Sequence, residues 1–350
     1  MKSVKHVVLL TPGFARDEAD TTCTTFLQDY LLALKRLHPA MSVELIALQY
    51  PFDRTHYPWN GIPIYSAHGK SSRYLSRLRT WIRAFRELQK LNRQQQIDVI
   101  HSFWLTEASF LAHVFSAVYG TRVVAYAIGQ DALPANRYLA YPWFSKIKIV
   151  CMSRLISENL LKKGLQTSAI IPLGVDAAKV KPTQNERTID ILGVGSLIPL
   201  KCYSTFIDVV AALRMAFPGI RAELAGDGPE REPLQKKIHR LGLEETITLS
   251  GSISHEAVFA KLGASRFLLH PSSSEGQSTV MMEALAAGTH VICFDVGRMD
   301  DPSKIHVCTN VDEMIKTTTA LLNNPTLDHT PVMLQTMDMM VNAFTQVYGR

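Results

Sequence analysis

One stretch limits what this chain can fold into more than any other: residues 267–295, FLLHPSSSEGQSTVMMEALAAGTHVICFD. An apolar run (267–269) leads into a Pro/Ser-rich turn and then Glu275-Gly276. A helical segment, 279–287, follows and is stopped by Gly288, after which a second apolar run occupies 291–294. Strand, loop, helix and strand in this order close as a right-handed parallel crossover, with the loop and the helix start at the ligand-bearing edge of the sheet. Two carboxylates in it are costly unless they have work to do. Glu275 stands at the strand's exit, and Glu283 is embedded among Val280, Met281, Met282, Ala284 and Leu285. A carboxylate in so apolar a helix needs partners, and the two together point to one site.

The same alternation recurs along the chain. Strand-like runs at 7–10, 42–48, 97–101, 122–127 and 148–152 are separated by helical segments, which predicts a parallel α/β sheet. Residues 50–72 interrupt the pattern with a long stretch rich in Pro, His and aromatics, read as a functional loop or as cover for the domain edge. Residues 73–93 form an amphipathic, strongly basic helix: Leu75, Leu78, Ile82, Phe85 and Leu88 make one stripe, and Arg73, Arg77, Arg79, Arg83, Arg86, Lys90 and Arg93 fill other faces. Such a helix packs on the sheet by its stripe, or offers a patch to anionic membrane or an acidic acceptor. A Lys/Pro/Gln/Asn-rich segment, 179–186, reads as a linker, and a fresh α/β series begins at Ile189. The last segment, 331–348, is a Met-rich helix. The expected domains are 1–178 and 187–330, with the final helix, 331–350, packing back on the first.

Length and composition agree with two soluble domains: 350 residues, 47% hydrophobic, 19% charged. The net charge of +6 is too mild to choose among anionic partners. Five scattered cysteines, none with metal or redox spacing, read as free thiols of a reducing compartment. No run approaches the roughly 18 apolar residues of a membrane span, and the short apolar start at 7–10 reads as a first strand, so a cytoplasmic protein is expected.

Taken singly, Gly226-Asp227-Gly228-Pro229 is either a phosphate cradle or an ordinary tight turn. The dinucleotide fingerprint is missing, because the first strand ends in Thr-Pro-Gly-Phe and the third position after Gly228 is Arg231. Glu275 and Glu283 in frame with Gly276, Ala284 and Gly288 are more specific. With them the sequence resembles the retaining, nucleotide-sugar-dependent glycosyltransferases of group 1 (family 4-like), built from two facing Rossmann-like domains, the GT-B architecture. Other segments keep the family's order: His101, Gly129 with Asp131, Ser153, Pro172 with Gly174-Val175-Asp176, Gly195-Ser196-Leu197 with Lys201, the Gly226–Gly228 turn, and Leu249-Ser250-Gly251 with His255-Glu256. The likeness spans roughly residues 95 to 297.

The resemblance implies a glycosyltransferase that moves a sugar from a nucleotide diphosphate, UDP before GDP by family frequency, to an unidentified acceptor with retention. It implies a donor site of Gly195, Ser196, Lys201, Gly226, Gly228, Glu275, Gly276, Gln277, Ser278, Thr279 and Glu283. Lys201 would neutralise the departing diphosphate, backbone amides of 277–279 would hold it, Glu275 would bind sugar hydroxyls and Glu283 the ribose. His101, Lys201 and Glu275 are the catalytic candidates, and Gly13, Phe14, His101 and Asp131 the acceptor side. Without the family frame, His101 reads as a strand-end histidine satisfied by a carbonyl. The chain has no Asp-x-Asp, so neither metal nor other cofactor is expected beyond the nucleotide-sugar co-substrate. The acceptor would be a glycan, a lipid-linked group or a small molecule. Nucleic acid is not expected, and weak contact through helix 73–93 would make the protein peripheral to the inner face of the membrane.

Several positions depart from the family. Its arginine beside the lysine is Ser196, a charge-assisted contact worth roughly 1.5–3 kcal/mol. Its first-domain histidine is Ile128, its asparagine before Gly174 is Leu173, Ser278 stands for a glycine, Gly-Gly is Gly297-Arg298, and the loop from Arg298 to Thr309 is short. These departures keep an alternative open, a catalytically impaired sugar-nucleotide-binding or partner subunit. A nucleotide-sugar epimerase of similar architecture fits the Glu pair and its Gly-Ala frame less well.

Overall fold

The computed structural model describes residues 4–69, 74–133, 135–140, 146–180, 186–297 and 303–349. The chain forms two compact units, residues 1–174 with 337–350 and residues 175–336. The first begins with β1 (His6–Gly13), α1 (Thr25–Leu37), β2 (Ser42–Tyr50), β3 (His56–Trp59), β4 (Ile62–Ser66) and α2 (Tyr74–Gln94). It continues with β5 (Val99–Phe103), α3 (Glu107–Tyr119), β6 (Arg122–Ala127), β7 (Lys148–Cys151), α4 (Arg154–Leu161) and β8 (Ala169–Ile170). Its sheet runs β3-β4-β2-β1-β5-β6-β7-β8, parallel throughout except for the β3–β4 pair. Val7–Leu10 and Val99–Ile100 are fully enclosed, as a sheet covered on both faces requires.

Residues 50–72, read as irregular, contain that antiparallel pair. Trp59 and Ile62 face each other across Asn60-Gly61, whose φ values of 47° and 70° fit the tight hairpin turn that Asn-Gly favours. Buried Tyr57, Trp59, Ile62 and Ile64 alternate with exposed residues.

The second unit comprises β9 (Ile189–Val194), α5 (Tyr203–Ala216), β10 (Ala222–Ala225), α6 (Arg231–Arg240), β11 (Ile247–Gly251), α7 (His255–Gly263), β12 (Ser265–His270), α8 (Thr279–Ala286), β13 (His290–Phe294), β14 (Ile305–Cys308) and α9 (Val311–Leu322). Its parallel sheet has the order β11-β10-β9-β12-β13-β14. The chain therefore starts in the middle, winds out on one side, and returns to wind out on the other. Between β9 and β12 the direction of winding reverses, and that switch point is where an open α/β sheet receives ligands. Val175 belongs to this unit: its amide donates to the Gln335 carbonyl at 2.9 Å and it bridges to Thr336. The first unit thus ends at Gly174 rather than at 178. Most of the linker segment, 181–185, lies outside the described residues.

The last helix, α10 (Met337–Gly349), starts later than the sequence pattern suggested and belongs to the first unit. Met337, Met340, Val341, Phe344, Val347 and Tyr348 form its buried face. The Tyr348 hydroxyl lies 2.7 Å from the Tyr30 hydroxyl of α1 and 2.7 Å from His101 Nδ1 of β5. Replacing Tyr348 with Phe keeps the ring but strips a buried imidazole nitrogen and a buried phenol of their shared partner. Destabilisation by about 1–3 kcal/mol is expected. All four tryptophans belong to the first unit's sequence, so urea unfolding followed by Trp fluorescence reads this loss directly.

Candidate functional site

Four loops of the second unit interlock at the carboxyl ends of its strands. The loop after β9 and the loop after β10 pack backbone on backbone: a Cβ on Gly226 would lie 1.9 Å from the Gly195 carbonyl oxygen, and one on Gly228 2.5 Å from that of Leu197. Both glycines have φ near 150°, a region closed to other residues. The Gly226 amide donates to the Gly251 carbonyl at 2.8 Å and the Gly228 amide to Asp227 Oδ1 at 2.7 Å. Of the two readings of this turn, the structure favours the tight turn. Its glycines permit close approach, and their amides are already spent within the protein. The loop after β12 is tied to the same place, since the Ser273 amide donates to the Leu200 carbonyl at 3.0 Å. Behind it, after β13, Gly297 packs so closely that a Cβ would stand 3.0 Å from that of Glu275.

At this switch point Lys201 and Glu275 meet. Lys201 ends a one-turn 3-10 segment, Pro199–Lys201, after β9, and its Nζ lies 2.5 Å from Glu275 Oε1. His270, the last residue of β12 and almost fully buried, places Nε2 3.1 Å from the same oxygen. Burial alone would push the Glu275 carboxyl up, but the His270 hydrogen bond and the Lys201 charge together outweigh it and bring it down to about 2. His270 itself is lowered, chiefly by burial, against the pull of Glu275, so a neutral ring donates from Nε2. Lys201 and His270 thus share one carboxylate oxygen, and among the described residues Oε2 has no hydrogen-bond partner. The Tyr203 hydroxyl, buried without a partner among the described residues, is pushed far up by burial and then by the Glu275 charge.

Ser278 stands at the N-cap of α8 but its side chain makes no capping bond, so the first-turn amides are not closed off by it. Gly276 and Gln277 line the approach to that helix start, and Thr279 is its first residue. Ser196 is exposed beside Gly195. Glu283, deep in α8 and 5% exposed, has found the partner that its apolar surroundings demanded: His255 Nε2, at the start of α7, is 2.6 Å from its Oε1. Sequence reasoning assigned no role to His270, Tyr203 or His255. The available signals were the placement of His270 at a strand end five residues before Glu275 and the place of His255-Glu256 among the segments that keep the family's order.

The first-domain candidates fare differently. His101 does not sit at a strand exit: it is the middle residue of β5 and fully enclosed. Ring centroids of Phe103 and Phe344 lie 4.2 and 4.5 Å from its own. Burial pushes its imidazole down to about 3, so it is a neutral core group that reaches no surface. Phe14 is also fully enclosed, edge-on to Trp59 at 5.0 Å, and Gly13 abuts the Tyr50 side chain. Asp131 is buried too. Burial raises its carboxyl while the amides of Leu105, Gly129 and Ile128 pull the other way, with Leu105 N at 2.8 Å and Gly129 N at 2.7 Å. These contacts pin the loops after β5 and β6. His101, Phe14 and Asp131 are thereby corrected from acceptor contacts to framework. Arg298 lies outside the described residues.

Residues 175–329 match the family model described as glycosyl transferases group 1, so the second unit is a group 1 glycosyltransferase domain. The chain is 24% identical over 182 residues to the phosphatidylinositol N-acetylglucosaminyltransferase gpi3 subunit of Schizosaccharomyces pombe, covering 50% of this chain and 40% of that protein. It is 27% identical to the MMP alpha-(1->4)-mannosyltransferase of Mycolicibacterium hassiacum over 45% of this chain and 40% of that one. The chain spans about half the length of the curated relatives it matches. In fold it is similar to a glycosyltransferase of Rickettsia africae, with a TM-score of 0.76 at 12% identity over 98% of each chain. It is also similar to HepE of Anabaena, solved with UDP and glucose, with a TM-score of 0.71 at 15% identity over 98% of this chain and 95% of that one. The fold is that of the GT-B glycosyltransferases.

The ion pair makes a pH prediction. Because the folded-state value of Glu275 is depressed, its contribution to stability is complete above the ordinary carboxyl value of 4.5 and is lost as pH falls through about 2. Replacing Lys201 with Ala lowers neutral-pH stability by about 1–3 kcal/mol and moves that acid loss to higher pH. Thermal unfolding of both proteins across the acid range measures it.

Proposed function

We propose that this chain, a GT-B protein whose second unit is a group 1 glycosyltransferase domain, is a retaining glycosyltransferase that uses a nucleotide-diphosphate sugar, UDP-linked in preference to GDP-linked. One observation carries the reading: a lysine and a carboxylate from the loops after β9 and β12 are paired 2.5 Å apart at the switch point of the sheet. Each has a partner of opposite kind on such a donor. The Lys201 ammonium suits the diphosphate, and Glu275, held in its charged form, suits the hydroxyls of the sugar. On donor binding the two would exchange each other for these groups, so neither charge is left buried alone. The α8 start directs its amides and dipole toward the same diphosphate. As the glycosyl bond breaks, charge grows on the leaving phosphate, and we assign its stabilisation to Lys201 and this helix end without a metal. Glu283 takes the ribose hydroxyls.

Two curated relatives act on lipids by name, phosphatidylinositol N-acetylglucosaminyltransferase and alpha-monoglucosyldiacylglycerol synthase, and α2 suits a lipid acceptor. Leu78 and Ile82, 43% and 42% exposed, share its open face with exposed Arg79, Arg83 and Arg86. Arg77 is engaged elsewhere, 2.6 Å from the Tyr138 hydroxyl and 3.6 Å from Glu107. Among the described residues no helix is long and apolar enough to cross a membrane, and a helix of this kind binds at the anionic surface. The second reading, a partner subunit with weakened catalysis, draws on Ser196 in place of an arginine, and several relatives are themselves named as subunits.

Titration calorimetry with UDP and GDP, followed by transfer assays with UDP-glucose, UDP-N-acetylglucosamine and GDP-mannose in the presence and absence of EDTA, tests the reading. Binding with turnover that survives EDTA, and a fall of about 100-fold or more in turnover for Lys201→Ala, are the expected results. Tight nucleotide binding with no turnover on any acceptor favours the subunit. For α2, replacing Arg79, Arg83 and Arg86 with Gln abolishes flotation with vesicles containing anionic lipid and leaves nucleotide binding unchanged.

A further inference from the structure

Glu283 is held from behind by more than one residue. His255 opens α7, where the Ser254 hydroxyl caps the helix by accepting from the Ala257 amide. Its Nε2 lies 2.6 Å from Glu283 Oε1, and its ring lies 5.1 Å from that of Phe259. The other ring nitrogen, Nδ1, is 3.2 Å from Lys179 Nζ. Lys179 ends a short 3-10 turn, Ala177–Lys179, whose start is fixed by Asp176 accepting from the Ala178 amide. An ammonium can only donate, so Nδ1 must accept, and the ring hydrogen must then stand on Nε2. The lysine thereby sets the tautomer in which His255 donates to Glu283. Among the described residues Glu283 Oε2 has no hydrogen-bond partner.

We propose that His255 is a positioning residue for nucleotide binding: with Lys179 behind it, it fixes one oxygen of the Glu283 carboxylate so that the other is presented to the ribose diol of a nucleoside diphosphate. The inference rests on the glycosyltransferase reading, which gives Glu283 that ligand. A glutamate side chain has three torsions, and one hydrogen-bonded oxygen removes most of their freedom before the ligand arrives, so less ordering remains to oppose binding. The arrangement is that of a histidine oriented by a second group and orienting a first. It also joins the donor site to the segment that follows the passage out of the first unit at Gly174 and Val175.

Calorimetry with UDP and GDP and with their 2′,3′-dideoxy counterparts tests this. Wild type should bind the better ribonucleotide about 100-fold tighter than its dideoxy form. In His255→Ala that ratio should fall roughly 10-fold with the dideoxy affinity unchanged. His255→Gln, whose amide can donate from a similar place, should recover most of it, and Lys179→Ala should lower it by a smaller factor. A helix buttress alone would shift the melting temperature without touching the ratio. A folded His255→Ala protein that keeps the wild-type ratio overturns the proposal; should that variant not fold, an unchanged ratio in Lys179→Ala does so. Wild-type binding with no preference for the ribonucleotide overturns it together with the role of Glu283. Wild type that binds neither nucleotide overturns the glycosyltransferase reading itself.

Discussion

The contact between Lys201 and Glu275 is the interaction that joins the loops at the second unit's switch point. Neither residue belongs to a strand or a helix interior. Each is carried by a loop leaving one of the two strands that flank the reversal in winding, so their meeting is a property of the topology. The pair is partly shielded, with side chains 19% and 14% exposed, which strengthens it relative to a surface pair and makes each partner costly to leave alone. The glycines at 226 and 228 serve this arrangement by letting the loop after β10 lie flush against the loop after β9. A bulkier turn would push Lys201 away from the switch point.

Much of this was legible in the sequence, for identifiable reasons. The βαβ alternation showed the parallel sheets because buried strands read as apolar runs. Glu283 announced itself because a carboxylate among methionines and alanines must be satisfied, and it is, by His255. Tertiary partners were not legible. Nothing in the spacing of Lys201, His270 and Glu275 says that a lysine and a histidine converge on one carboxylate oxygen, since the convergence is made by a sheet order that single-sequence patterns do not encode. The hairpin at 56–66 was hidden for a local reason. Its strands are short and carry prolines, although Asn60-Gly61 was there as a turn signal.

His101 shows the opposite failure. Its neighbours Ile100 and Ser102 allowed the strand to be ended two residues too soon, which put an imidazole at an edge where ligands bind. Two more strand residues, Ser102 and Phe103, carry it into the sheet, and α1 and α10 close over it with Tyr30, Phe344 and Tyr348. A histidine can be a buried framework group when a phenol satisfies one nitrogen and rings enclose the rest. The position alone could not separate that use from catalysis.

That closure has a consequence for how the chain is made. Residues 175–336 are contiguous, so the second unit can assemble its core as soon as its own segment has emerged. The first unit is synthesised earlier but finished later: the aromatic bed formed by Tyr30, His101, Phe103 and Tyr126 has no lid until Phe344 and Tyr348 arrive. For the whole time taken to translate residues 175–336, the half made first carries an open greasy seam. Chaperone demand, and the toll of any premature stop near the end, should therefore fall on the part of the protein that leaves the ribosome first.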